Sequence, residues 1–287
     1  MKVIFAGTPE ITIETLKSIH ESNHEIALIL TNEDKPSGRG KKLTKPPVKI
    51  FAEVNNIEFK QPAMLKDNLL IDFLKTKEAD LFVVFAYGHL IPEEILKIFK
   101  KGALNIHTSL LPKLRGAAPI QRAIINGDKL TGLTFMKMEK GLDTGPIYRQ
   151  DHIKIDHEET SDSLEKKMSK VSSSKIVEVI DLIAENKLKL ISQNNESATY
   201  APKISREETK INWSMKATAI ASLINGLSPS PAAYGLLNKQ RINFYLAEAV
   251  EKESLGPGKI VEVSKNKLLV GAKDFCVCLL YTSPSPR

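Results

Sequence analysis

The 287-residue sequence holds no apolar run long enough to cross a bilayer, only two cysteines, and neither of the glycine patterns that usually cradle phosphates. A membrane-spanning helix needs about 20 consecutive apolar residues. The N-terminus enters a strand pattern at once (Lys2-Val3-Ile4-Phe5-Ala6), so no signal peptide is expected. The expectation is a cytoplasmic protein without a membrane partner. Cys276 and Cys278 stand as C-x-C in a strand pattern, too close along the chain for an easy mutual disulfide. Two thiolates also lack the further ligands of a zinc site, so they read as plain strand residues and no metal is expected. Gly7 follows the first strand, but G-x-G-x-x-G is not completed, and Pro9 removes an N–H that a phosphate would use. Gly40-Lys41 is no Walker A motif either, because Lys35 stands where the first glycine is required. Nucleotide binding is disfavoured.

Hydrophobic residues make up 42% and charged residues 26%, ordinary for a globular chain that can hold one large domain and a smaller one. The net charge of +7 is placed unevenly. Between Glu33 and Lys49, six basic residues (Lys35, Arg39, Lys41, Lys42, Lys45, Lys49) face two acidic ones, among Pro36, Gly38, Gly40, Pro46 and Pro47. Such a segment cannot be a helix or a central strand. A solvated loop is the plain reading; a mobile basic loop that meets a polyanion is favoured over it.

Patterning predicts strands at 2–6, 25–31, 79–87, 102–107 and 131–138, with helices at 9–20, 48–55, 65–77, 92–100 and 119–126. The apolar run Ala79-Asp80-Leu81-Phe82-Val83-Val84-Phe85-Ala86-Tyr87 suits a parallel strand covered on both faces. This alternation argues for an α/β, doubly wound, Rossmann-like sheet. Residues 146–155 read as a hairpin-like pair, and 160–186 as a long helix whose inner stripe (Leu164, Met168, Val171, then Ile176, Ile180, Ile183) slips register near Ser172. Beyond residue 206 come a helix at 217–225 and short strands at 242–250, 258–264, 267–272 and 274–280, the pattern of a small β-barrel.

Asn105 and His107 close the strand Ala103-Leu104-Asn105-Ile106-His107, and residues two apart in a strand share a face. Open α/β sheets hold ligands at the carboxyl ends of their strands. Asp143, flanked by glycines in Gly141-Leu142-Asp143-Thr144-Gly145, can orient the histidine from a loop. Amide, imidazole and carboxylate together suit addition at a carbonyl carbon. His107 alone could be a surface histidine and Asp143 a turn-former. The other histidines (His20, His24, His89, His152, His157) read as surface or loop residues.

Asn105-x-His107-x-Ser109-Leu110-Leu111-Pro112, then Arg115-Gly116-Ala117-Ala118-Pro119-Ile120 and Gly141-Leu142-Asp143-Thr144-Gly145, resemble the formyltransferases that use 10-formyltetrahydrofolate. Phe5-Ala6-Gly7-Thr8-Pro9, the Gly38-Arg39-Gly40-Lys41-Lys42 loop, Ala86-Tyr87-Gly88 and Tyr200-Ala201-Pro202-Lys203-Ile204 extend the resemblance, most specifically to the branch acting on methionyl-tRNA. The resemblance covers nearly the whole chain to about Cys278. It implies catalysis by Asn105, His107 and Asp143, folate binding by Ser109, Leu110, Leu111 and Pro112, and tRNA contact through Arg39, Lys41 and Lys42. Initiator methionyl-tRNA is the implied partner, 10-formyltetrahydrofolate the co-substrate, and neither a metal nor an obligate protein partner is implied.

The expected organisation is a catalytic domain at 1–189, a linker at 190–206 and a β-barrel, tRNA-binding domain at 207–287. Ser230 replaces the aromatic residue usual between the two prolines. Residues 279–287 do not resemble the family's closing strands and read as appended read-through, which would leave the barrel incomplete and its sheet with an unpaired edge at 267–280. Rival readings are a formyltransferase for another amine or a formyl-folate hydrolase, which give no role to the Arg39 loop, and a non-catalytic RNA-binding module, which leaves the amide, imidazole and carboxylate unexplained.

Overall fold

The computed structural model describes residues 1–37, 40, 42–265 and 267–284. Strand β1 (Lys2–Gly7) leads through one 3-10 turn (Glu10–Thr12) into helix α1 (Ile13–His20), followed by β2 (Glu25–Leu30). A small antiparallel pair, β3 (Lys35–Ser37) and β4 (Lys42–Thr44), precedes α2 (Pro47–Val54) and β5 (Phe59–Lys60). Then come α3 (Asn68–Thr76), β6 (Leu81–Phe85), α4 (Glu93–Leu96), β7 (Ala103–His107), α5 (Pro119–Ile125), β8 (Leu130–Lys137), β9 (Ile147–Lys154) and α6 (Ser161–Ala184). The remainder is α7 (Ala217–Gly226), β10 (Ala233–Leu237), β11 (Gln240–Val250), β12 (Ile260–Val263), β13 (Leu268–Gly271) and β14 (Cys276–Pro284).

The first seven-stranded sheet has the order β5-β2-β1-β6-β7-β8-β9. Pairing is parallel from β5 to β7 and antiparallel between β7 and β8. All five residues of β6 are buried, as a central strand covered on both faces requires. Gly7 ends β1 where a Cβ would lie 2.7 Å from the Phe5 ring and 2.8 Å from the Phe85 carbonyl, so only glycine lets the two strand ends close up. The helices over this sheet differ in detail from the patterning. Helix α3 begins after Asp67, whose side chain accepts from the Leu69 N–H. The four-residue spacing of Leu65, Leu69 and Phe73 predicts an inner stripe; Leu65 is buried and Phe73 packs against the core, but α3 buries Leu70 and Leu74 and leaves Leu69 80% exposed.

Helix α6 runs unbroken for 24 residues. The register slip near Ser172 is resolved because Ser172 is itself buried and accepts a hydrogen bond from Thr15 Oγ1 at 2.8 Å. Residues 146–155 form one strand, β9, and not a hairpin-like pair. His24 is buried, not a surface residue: its Nδ1 lies 3.1 Å from the Met1 ammonium and its Nε2 3.3 Å from Asp181. Burial, reinforced by the Met1 charge, lowers its pKa.

Contacts divide the chain into two compact units. The first comprises Met1–Arg115, Gly132–His152 and Lys166–Thr199; the second comprises Gly116–Thr131, Ile153–Glu165 and the chain from Tyr200 on. Residues 190–199 fall in the first unit. In the second unit α7 packs on a five-stranded antiparallel sheet of order β10-β11-β14-β13-β12, with Ile220, Ile224, Phe244, Val270, Val277 and Leu279 at its core. Strands β10 and β12 are the edges, so among the described residues the sheet is open, as expected of an incomplete barrel. Residues 267–280 are no free edge, because β14 pairs with β13 on one side and with β11 on the other, as far as Pro284. Cys276 and Cys278 are both buried in β14 and unbridged.

Candidate active site

Strand β7 lies between β6 and β8, with Asn105 opposite Val84 on one side and Met136 on the other, and His107 opposite Thr134. The period-2 alternation sends Asn105 and His107 to one face and Ile106, buried, to the other. Past His107 the chain turns through residues 108–116. His107 Nε2 lies 2.9 Å from the Leu114 carbonyl oxygen. A carbonyl only accepts, so Nε2 carries the hydrogen and Nδ1 is the nitrogen left for chemistry. Nδ1 faces Asp143 Oδ2 at 3.6 Å, and the Asn105 amide donates to Asp143 Oδ1 at 3.5 Å. The three side chains named from sequence thus meet at one strand end.

Asp143 reaches this place on a tight loop. Its φ is +52°, a conformation that aspartate tolerates better than bulkier residues. At Gly145 a Cβ would run into the Lys137 carbonyl, so the loop lies directly against the end of β8. Gln193 bridges the loop: its Nε2 donates to the carbonyls of Asp143 (2.9 Å) and Gly145 (2.7 Å).

Of the residues read as folate-binding, Ser109 and Leu111 turn inward. The Ser109 hydroxyl donates to Lys113 O at 2.6 Å, and Leu111 packs with Met136 and Ile147. Thr134 ties this turn down, accepting from the Leu111 N–H (3.1 Å) and donating to Ser109 O (2.6 Å). Leu110 and Pro112 are half-buried and still accessible to a ligand. Sequence reasoning missed a cleft of about 520 Å³ lined among others by Leu90, Ile91, Pro92, Met138, Glu139 and Gly141. Its wall runs to Gly141, two residues before Asp143. Leu90-Ile91-Pro92 just past the carboxyl end of β6, with Leu90 79% exposed, was the available signal.

Of the residues read as tRNA-binding, Lys42 is exposed on β4, while Arg39 and Lys41 lie outside the described residues. Among the described residues of that segment, Lys45 is engaged by Glu53 and Lys49 by Asp34, each at 2.8 Å. Among the described residues no group of three metal-ligating side chains converges, and no helix is long and apolar enough to cross a membrane.

The family model described as formyl transferase matches residues 1–180, and that described as formyl transferase, C-terminal domain, matches residues 203–285. The chain is 40% identical over 285 residues to the methionyl-tRNA formyltransferase of Thermodesulfovibrio yellowstonii, covering 99% of this chain and 92% of that one. The chain belongs to the methionyl-tRNA formyltransferase family. Among solved structures, the methionyl-tRNA formyltransferase of Clostridium thermocellum shares the fold (TM-score 0.59, 20% identity, 88% of this chain and 94% of that one). So does the N-formyltransferase of Helicobacter canadensis, solved with folinic acid and dTDP-3-aminofucose (TM-score 0.74, 19% identity, 99% of this chain and 100% of that one).

Proposed function

We propose that the protein transfers the formyl group of 10-formyltetrahydrofolate to the α-amino group of methionine on initiator methionyl-tRNA, with Asn105, His107 and Asp143 carrying the chemistry. The observation that supports this most is the meeting of these three side chains at the carboxyl end of β7, in a chain of this family. The folate lies in the cleft between residues 90–94 and 138–141, whose apolar walls of Leu90, Ile91 and Met138 suit a flat heteroaromatic ring. Leu110 and Pro112 add contact, while Ser109 and Leu111 serve by fixing the turn. The tRNA is bound by the basic segment around Arg39, Lys41 and Lys42 and by the C-terminal domain, here taken as residues 207–287, with catalysis in residues 1–189.

The unprotonated amine attacks the formyl carbon, and the carbonyl electron pair moves onto oxygen. Asn105 donates an N–H to that oxygen, a contact worth about 3–4 kcal/mol of barrier in comparable sites. Collapse of the adduct breaks the bond between the formyl carbon and the folate nitrogen. The amine loses a proton and the leaving nitrogen gains one. His107 Nδ1 is the relay, because Nε2 is held by Leu114, and a proton on Nδ1 lies against Asp143. The bond distances around Asp143 are long for direct hydrogen bonds, as is common before substrate tightens a site.

Formyl transfer from 10-formyltetrahydrofolate to charged initiator tRNA, beside uncharged tRNA, free methionine and an amino-sugar nucleotide, tests the reading. Transfer to the charged tRNA alone is expected. Transfer to the sugar nucleotide, or release of formate without an acceptor, would overturn the substrate assignment.

A further inference from the structure

Residues 193–199 were expected to be tether, a run of polar side chains between two domains. They touch the active site at two places. The first is Gln193, whose Oε1 accepts from Arg115 Nε (3.2 Å) and Nη2 (2.7 Å) while its Nε2 donates to the Asp143 and Gly145 carbonyls. A guanidinium only donates and carbonyls only accept, so the amide has a single satisfied orientation. Arg115 is 2% exposed, and its Nη2 also donates to Asn195 Oδ1 at 2.8 Å, which anchors the segment at a second point. The second contact is Thr199, whose Oγ1 accepts from the Leu114 N–H at 2.9 Å and whose carbonyl accepts from the Arg115 N–H at 2.9 Å. Leu114 has φ +59°, and its own carbonyl holds His107 Nε2.

The two residues that flank the imidazole, Asp143 at Nδ1 and Leu114 at Nε2, are therefore each fastened to the same seven-residue segment. We infer that Gln193 and Thr199 are positioning residues for formyl transfer: Gln193 fixes the loop that presents Asp143, and Thr199 fixes the carbonyl that sets the ring orientation of His107. The inference rests on the catalytic reading proposed above. Neither residue reaches the reacting atoms. Their effect is geometric, and misplacement by about 1 Å is enough to cost rate.

The test uses the full chain, with kcat, both KM values and the thermal midpoint measured for Gln193→Ala, Gln193→Glu, Thr199→Val and Thr199→Ser. Gln193→Glu keeps an acceptor for Arg115 but has no N–H for the loop, so it should lose as much rate as Gln193→Ala. Each should lower kcat by about tenfold or more with KM values changed less than about twofold, because neither Gln193 nor Thr199 lines the cleft proposed for the folate. Thr199→Val should fall likewise, and Thr199→Ser, which restores the acceptor, should recover the rate. In an Asp143→Asn background, itself strongly impaired, Gln193→Ala should cost less than about twofold, because no carboxylate remains to be positioned. An unchanged kcat in Gln193→Ala, or an equal loss in both backgrounds, would overturn the positioning role alone. Normal turnover in Asp143→Asn by itself would instead overturn the site assignment on which it rests.

Discussion

At Asp143 a left-handed backbone, two flanking glycines and a pair of carbonyls held by Gln193 converge on placing one carboxylate beside one imidazole. Asparagine tolerates the same φ and has the same bulk, so Asp143→Asn removes the charge while keeping the loop. Turnover should fall at least about a hundredfold, the scale of lost proton transfer, with the circular dichroism spectrum unchanged. Turnover within threefold of the parent, measured under saturating substrates, would show that the carboxylate is a loop-former only. That Asn105, His107 and Asp143 meet was legible because each lies in a local pattern: a period of two in a strand and a glycine-bounded turn. Gln193 was not. Its partners lie 48, 50 and 78 residues away, and a glutamine in Ser192-Gln193-Asn194-Asn195 carries no local mark separating it from linker. The cleft wall was half-legible, since Leu90 reads as an unremarkable loop hydrophobe until its place at a strand end is known.

Among the elements, β11 shows how a side chain repairs a defect in a ladder. Its pairing with β14 shifts register on either side of Leu246, and there Asn225 of α7 donates to the Ala247 carbonyl and accepts its N–H, both at 2.9 Å. Asn225→Ala would leave two buried backbone groups unpaired, at about 2–6 kcal/mol in all. Its urea midpoint should drop accordingly, while Asn225→Asp, which keeps only the acceptor, should lie between; a midpoint equal to the parent would mean that water replaces the amide. The β3–β4 hairpin raises a separate expectation. Because Lys45 and Lys49 already have carboxylate partners, the tRNA contact proposed for this segment would fall to its other basic residues. Changing Arg39, Lys41 and Lys42 together to Ala should flatten the log–log salt dependence of tRNA affinity by about two to three units if all three contact phosphates. An unchanged slope would make this segment a solvated loop. Element types were read well from patterning, but faces were not always: in Leu69-Leu70 two identical side chains compete for the core, and Leu70 is the one buried.

For the molecule as a whole, strand order explains why the catalytic groups could be found from so little. A mostly parallel sheet sends the carboxyl ends of β1, β6 and β7 to one edge, so residues distant in sequence become neighbours there. The second unit was less legible, because short antiparallel strands fix pairing by side-chain fit and not by chain pattern. The sheet is open, as an incomplete barrel is, but β10 was overlooked, and β14 takes the centre of the sheet, where an exposed edge had been expected. None of this alters the chemistry assigned to the end of β7. The most direct test is single-turnover formyl transfer from 10-formyltetrahydrofolate to methionyl-tRNA, with enzyme in excess, for the parent chain, Asn105→Ala and His107→Ala. Each substitution should slow the transfer at least about a hundredfold while the folate dissociation constant changes less than about threefold. A near-parental rate in either folded variant would contradict the account.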